Sequence, residues 1–254
     1  MIMLHFYDNP GPTDAPPLII AHGLYGSGKN WGAIARKLSE ARRVVAVDMR
    51  NHGDSAWTET HHYTDLGADL VEVAEHIGGP IDLLGHSMGG KSSMIAALTR
   101  PDLIRKLIVA DIAPVNYSHT QMMYIGAMRS IDLTGIDRRS QAEAALRAVI
   151  DDPVLPSFFT QSLDLKAGRW KLNLDTLARQ MPNLLSFPEI SGQFDGPALF
   201  LTGANSTYVL PEHRARIKEL FPNAKFAKIP GAGHWLHAEK PAEFEAAVRH
   251  FLAA

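Results

Sequence analysis

Short runs of aliphatic and β-branched residues recur along the chain, at 17–21, 44–48, 81–84, 107–111, 198–202 and 226–229, each bounded by Gly, Pro or charge. Amphipathic segments fall between several of them, at 31–38, 66–77, 88–99 and 211–220. A strand that is apolar on both faces has to be covered on both faces. Such strands alternating with helices therefore predict a mostly parallel, doubly wound α/β sheet joined by right-handed crossovers.

From about Pro114 to Gly196 the alternation stops. Helical patterns at 141–149 and 174–181 remain, without a convincing strand, so residues 114–196 are predicted to be a helical cap inserted between two strands of a core formed by 1–113 and 197–254. The insertion holds Met122, Met123, Tyr124, Met128, Phe158, Phe159, Trp170 and Met181. These adaptable apolar side chains suit a pocket lining, although packing the insertion's own core is the commoner fate of any single one.

At 254 residues and 46% hydrophobic, the chain can bury a full core. Its 25 Lys and Arg stand against 27 Asp and Glu, with no block of like charge, so neither nucleic acid nor an anionic membrane surface is an expected partner. A small ligand of modest charge fits better. The lack of cysteine removes disulfides, thiolate nucleophiles and Cys-ligated zinc. No apolar run approaches the roughly 18 to 20 residues of a membrane span. The opening MIMLHFYDNP lacks the pattern of a signal peptide, which makes the cytoplasm the default expectation.

Residues 83–93, LLGHSMGGKSS, support two incompatible readings. As G-x-x-x-x-G-K-S they form a phosphate-cradling loop, with Leu107–Asp111 imitating a strand that ends in a magnesium-binding Asp. As G-x-S-x-G they present Ser87 as a nucleophile on a sharp turn between strand and helix. Two other segments favour the serine. In AHGLYGSGKN (21–30) a strand ends at His22-Gly23-Leu24, where the Leu24 amide can turn into a site as half of an oxyanion hole; the Met88 amide would be the other half. In PGAGHWLHAEKP (230–241) His234 lies among glycines just past a strand end, placed to act as general base. His237 is its rival and would complete an H-x-x-H metal pair, but no third ligand is evident. Gly85 and Gly89 flank Ser87 where larger side chains would collide, and Gly90 lets the following helix approach the sheet. On this reading Lys91 and Ser92 are ordinary helix residues.

A serine and a histidine need a carboxylate to hold the imidazole tautomer. The loop after 198–202 reads Ala204-Asn205-Ser206-Thr207-Tyr208 and holds no acid, and Asp195 precedes its strand, at the wrong end of the sheet. Asp111 is left, which keeps the order Ser, Asp, His.

With these motifs together, HGLYGS (22–27), VDMRNHGDS (47–55), GHSMGGK (85–91), DIAPVNY (111–117), GANSTYV (203–209) and GAGHWLHAEKP (231–241), the chain resembles the α/β-hydrolase superfamily, and within it the YbfF-type serine esterases. The resemblance implies a triad of Ser87, Asp111 and His234, with the acid after the sixth strand of the fold instead of the seventh. It implies hydrolysis of a carboxylic ester or thioester with no metal or organic cofactor. Carbon-carbon bond hydrolases, lyases and perhydrolases of the same fold are the alternatives, and a P-loop nucleotide-binding protein is a remote one. Residues 50–55 read as a structural turn, and His86 as a residue that shapes the elbow.

Overall fold

The computed structural model describes residues 2–254. In chain order its elements are β1 (Phe6–Asn9), β2 (Leu18–Ala21), α1 (Gly32–Leu38), β3 (Val44–Val47), α2 (Tyr63–Ile77), β4 (Ile81–His86), α3 (Met88–Thr99) and β5 (Ile104–Ala110). There follow α4 (Met122–Ser130), α5 (Arg139–Arg147), α6 (Leu155–Thr160), β6 (Leu163–Asp164), β7 (Arg169–Trp170), α7 (Leu174–Arg179) and α8 (Met181–Leu185). The chain then returns through β8 (Ala198–Gly203), α9 (His213–Leu220), β9 (Ala224–Ile229), α10 (Leu236–Glu239) and α11 (Pro241–Ala253). A seven-stranded sheet takes the order β1-β3-β2-β4-β5-β8-β9, parallel except where β1 runs antiparallel to β3.

Alternation along the strands divides the apolar residues between two cores. Leu18, Ile20, Val44, Ala46, Ile108 and Leu199 face α1 and α11, while Ile19, Val45, Val47, Leu107, Val109 and Phe200 face α2, α3 and α9. Apolar residues between β5 and β8, among them Ile125, Leu146, Phe159 and Leu177, join the second cluster. This segment thus packs onto the sheet's own core through α2 and α3. Sandwiched in this way, α3 is buried from Met88 to Leu98, so its apolar residues form no single stripe and even its polar Lys91, Ser92 and Ser93 lie inside.

Several elements depart from the sequence pattern for identifiable reasons. β5 starts at Ile104, ahead of the apolar run, because two charged residues in it have buried partners. Arg105 pairs with Asp82, and Lys106 Nζ donates to the carbonyls of Phe251 and Leu252 at the end of α11. β1 is a half-buried edge strand with no apolar run to announce it. The expectation that residues 114–196 contain no strand is corrected by the β6–β7 hairpin, whose two-residue strands are too short to leave an alternation. The helix expected over 174–181 is two helices that meet at Gln180, since Pro182 cannot donate to the preceding turn.

Candidate active site

The carboxyl ends of β4, β5 and β8 lie side by side, the usual location for ligand sites in such sheets. Ser87 follows β4 directly and is the N-cap of α3, with φ 51° and ψ −117°. Its amide still bonds the Ala110 carbonyl at 3.0 Å, so the ladder persists up to the residue where the chain turns. A side chain at Gly85 would strike the Gly89 carbonyl, and one at Gly89 would strike the carbonyls of Ala21 and His22. Both obstacles are backbone. The glycines let the helix start hard against the strand and leave Ser87 projecting.

Asp111 stands one strand over, also at positive φ (53°), and is fully buried. Its amide continues the ladder to Leu201, and its carboxylate accepts from the Gly203 amide at 3.1 Å and from the Ser206 hydroxyl. His234 is brought in by the loop after β9. Its Nδ1–H donates to Asp111 Oδ2 at 2.7 Å, and Nε2 lies 3.1 Å from Ser87 Oγ, positioned to accept the hydroxyl proton. The imidazole stacks on Tyr208 (centroids 3.9 Å apart, 17° between planes), and its backbone carbonyl accepts from His86 Nε2–H at 2.9 Å. The structure therefore brings Ser87, His234 and Asp111 into one hydrogen-bonded chain. His237 is elsewhere, stacked on Trp31 at 4.2 Å.

Leu24 and Met88 border the same cavity as Ser87. Among the described residues neither of their amides has a protein acceptor. Buried histidines hold the Leu24 loop in shape. His22 Nδ1–H donates to the Gly23 carbonyl at 2.7 Å while Nε2 accepts from the Met49 amide; His52 Nε2 accepts from the Tyr25 amide while Nδ1–H donates to the Arg50 carbonyl. This gives the turn at 50–55 its purpose, and Arg50 locks the turn by a buried bidentate pair with Asp69. His61 accepts from the Asn51 amide group and points its other ring nitrogen at Met88 Sδ, 3.4 Å away. Each of these rings needs one bare nitrogen or is sealed from water, and burial holds it neutral. His22 is pushed down to about 4, His52 and His237 to about 3, and His61 and His86 well below the usual range.

A narrow cavity opens beside Ser87. Of the side chains expected to line it, Tyr124, Phe159 and Met181 do. Phe158 packs on Trp235, Met128 and Trp170 are core, and Met122 and Met123 are exposed. Sequence reasoning missed Tyr117, Leu184, Leu185, Tyr208 and Lys91, all on the cavity wall, and Ser206 behind the acid. Lys91 departs most from expectation, because it is 1% exposed. Burial pushes its amine down to about 7. Its three carbonyl acceptors oppose this and favour the charged form, since only the ammonium has three N–H donors. The phosphate-loop reading needs Lys91 and Ser92 free. Lys91 is saturated, Ser92 Oγ bonds the Met88 carbonyl, and Asp111 faces His234.

A strand-turn-helix that projects Ser87 after β4, with Asp111 after the adjacent β5 and His234 after β9, is the layout of a hydrolase of the α/β type. The family model described as "alpha/beta hydrolase fold" matches residues 16–241, and the chain belongs to that family. It is 39% identical to the mouse sn-1-specific diacylglycerol lipase ABHD11, over 96% of this chain and 83% of that protein. It is 36% identical to esterase YbfF of Escherichia coli K12, over 93% and 92%. The solved structure of a marine microorganism esterase superposes with a TM-score of 0.93 at 38% identity, covering 99% of this chain and all of that one.

Proposed function

We propose that the protein is a serine hydrolase that cleaves carboxylic esters or thioesters through an acyl-enzyme on Ser87, with residues 114–196 as a cap over a core of 1–113 and 197–254. A cytoplasmic setting is proposed with it. The observation that carries the reading is the unbroken chain from Ser87 Oγ through the His234 imidazole to a buried carboxylate, opening onto an apolar cavity. Relatives described as esterases and a lipase support it.

In the proposed reaction Ser87 Oγ adds to the substrate carbonyl as its proton passes to His234 Nε2. The oxyanion accepts from the Leu24 and Met88 amides, the latter at the positive end of α3. Collapse breaks the bond to the alcohol or thiol, which leaves with the proton from His234. Water then attacks the acyl-Ser87 carbonyl, giving its proton to His234, and the acid departs as Ser87 regains its hydrogen. Asp111 orients the imidazole and stabilises its charged form, while Ser206 and Gly203 hold Asp111.

A fluorophosphonate should label Ser87 in the folded protein, and Ser87→Ala should lose at least roughly 10⁴-fold in kcat on p-nitrophenyl esters. Label at another residue, or turnover that survives Ser87→Ala, would overturn the assignment.

A further inference from the structure

Lys91 lies one helical turn past Ser87, and its amide donates to the Ser87 carbonyl at 3.0 Å. Among the described residues no carboxylate pairs with its ammonium, which is unusual for a buried charge. Instead Nζ donates to the carbonyls of Val115 (2.9 Å), Leu185 (3.4 Å) and Ser186 (2.6 Å). The Tyr117 and Tyr63 rings sit 4.8 and 5.3 Å from it, faces available to a cation. All three donors are thereby used.

Those carbonyls belong to two passages of the chain. Val115 is on the way out of β5, just past Asp111; Leu185 and Ser186 end α8, on the way back towards β8. The passages are also bonded to each other, Tyr117 N–H to the Leu185 carbonyl at 2.8 Å and Phe187 N–H to Asn116 Oδ1 at 2.7 Å, and Tyr63 Oη–H donates to the Leu184 carbonyl at 2.8 Å. Tyr117, Leu184 and Leu185 form part of the cavity wall beside Ser87. One ammonium thus joins both ends of the inserted segment to the helix that carries the nucleophile.

We propose that Lys91 is a positioning residue that sets acyl-chain selectivity, clamping both passages onto α3 and so fixing the wall formed by Leu184 and Leu185. The selectivity clause rests on the esterase reading; the clamp does not. A clamped wall gives a sharp dependence on chain length, and releasing it flattens that dependence.

The test compares wild type with Lys91→Met, which keeps the aliphatic stem and removes the donors, across p-nitrophenyl esters from acetate to dodecanoate. The ratio of kcat/KM between the best and worst chain lengths should shrink roughly tenfold, through KM of the disfavoured esters more than through kcat. A profile parallel to wild type, with only the melting temperature lowered, would reduce Lys91 to a structural residue and overturn the proposal. Should Lys91→Met fail to fold, Tyr63→Phe loosens the same passage through Leu184 and should flatten the profile in the same direction; an unchanged profile there refutes it. Hydrogen exchange separates this outcome from failure of the esterase reading. If no ester turns over, the Tyr117 and Phe187 amides should still exchange roughly tenfold faster in whichever variant folds, and unchanged exchange there refutes the clamp.

Discussion

Acid should unfold this protein earlier than its carboxylates would. His22, His52 and His237 are fully buried and neutral, taking up a proton only near pH 4, 3 and 3, whereas in the unfolded chain each does so near pH 6.5. Between those limits the unfolded state binds more protons. The stabilisation is complete above about pH 6.5 and is lost as pH falls towards the folded values. At pH 5 each of the three gives up about 2 kcal/mol, or about 6 kcal/mol together, a large part of the roughly 5–15 kcal/mol that holds a domain folded. His61 and His86 act in the same direction. Proximity sharpens the effect, since the His22 and His52 rings are 5.1 Å apart and His52 and His61 5.6 Å, while Asp48 opposes it at His52. Asp82, whose carboxyl burial pushes up, offsets a part at lower pH. The acid midpoint should fall between about pH 5 and pH 4.

Urea titrations at pH 7, 6 and 5, followed by near-UV circular dichroism, measure this directly. Near pH 5.5 the slope of stability against pH should correspond to at least close to three protons from His22, His52 and His237, rising towards five as His61 and His86 join them, at about 1.4 kcal/mol per pH unit for each. His52→Gln, which can still accept from Tyr25 and donate to Arg50, should lower that slope by about one proton. Stability that stays within about 1 kcal/mol from pH 7 to pH 5 would refute the picture of histidines held neutral by burial.

Gly89→Ala should cost about 3 kcal/mol, because the new methyl meets two backbone carbonyls that cannot step aside; a melting temperature equal to wild type in scanning fluorimetry would contradict the packing at the elbow. Asp111→Asn leaves the shape of the site but not the imidazole tautomer, so kcat should drop about 10⁴-fold with KM little changed in steady-state assays. Ser206→Ala removes one of the donors to the Asp111 carboxylate and should lower kcat about ten- to a hundredfold; wild-type rates would show that the Gly203 amide alone suffices.

Legibility in the sequence followed how local each requirement is. The strands that build the sheet centre could be read because burial on both faces demands a run of apolar residues, and Ser87 because a tight bend needs glycine two residues to either side. That Asp111 would meet His234 could be reached by elimination, since only two strand ends were placed to supply a carboxylate and one had none. The same elimination concealed Ser206. A loop without a carboxylate looks empty when the question is where the acid lies, yet its hydroxyl donates to the acid on the neighbouring strand.

Lys91 shows the limit most clearly. A lysine in a helix just after paired glycines reads as an ordinary helix residue, because nothing within a few positions could compensate a buried charge. What compensates it are backbone carbonyls 24, 94 and 95 residues away, and a carbonyl has the same identity at every position. Side chains that find side-chain partners leave a trace in residue type, as Arg50 and Asp69 do. Side chains that find backbone leave none, so a residue serving as a joint between distant passages can be found only once the passages have been placed.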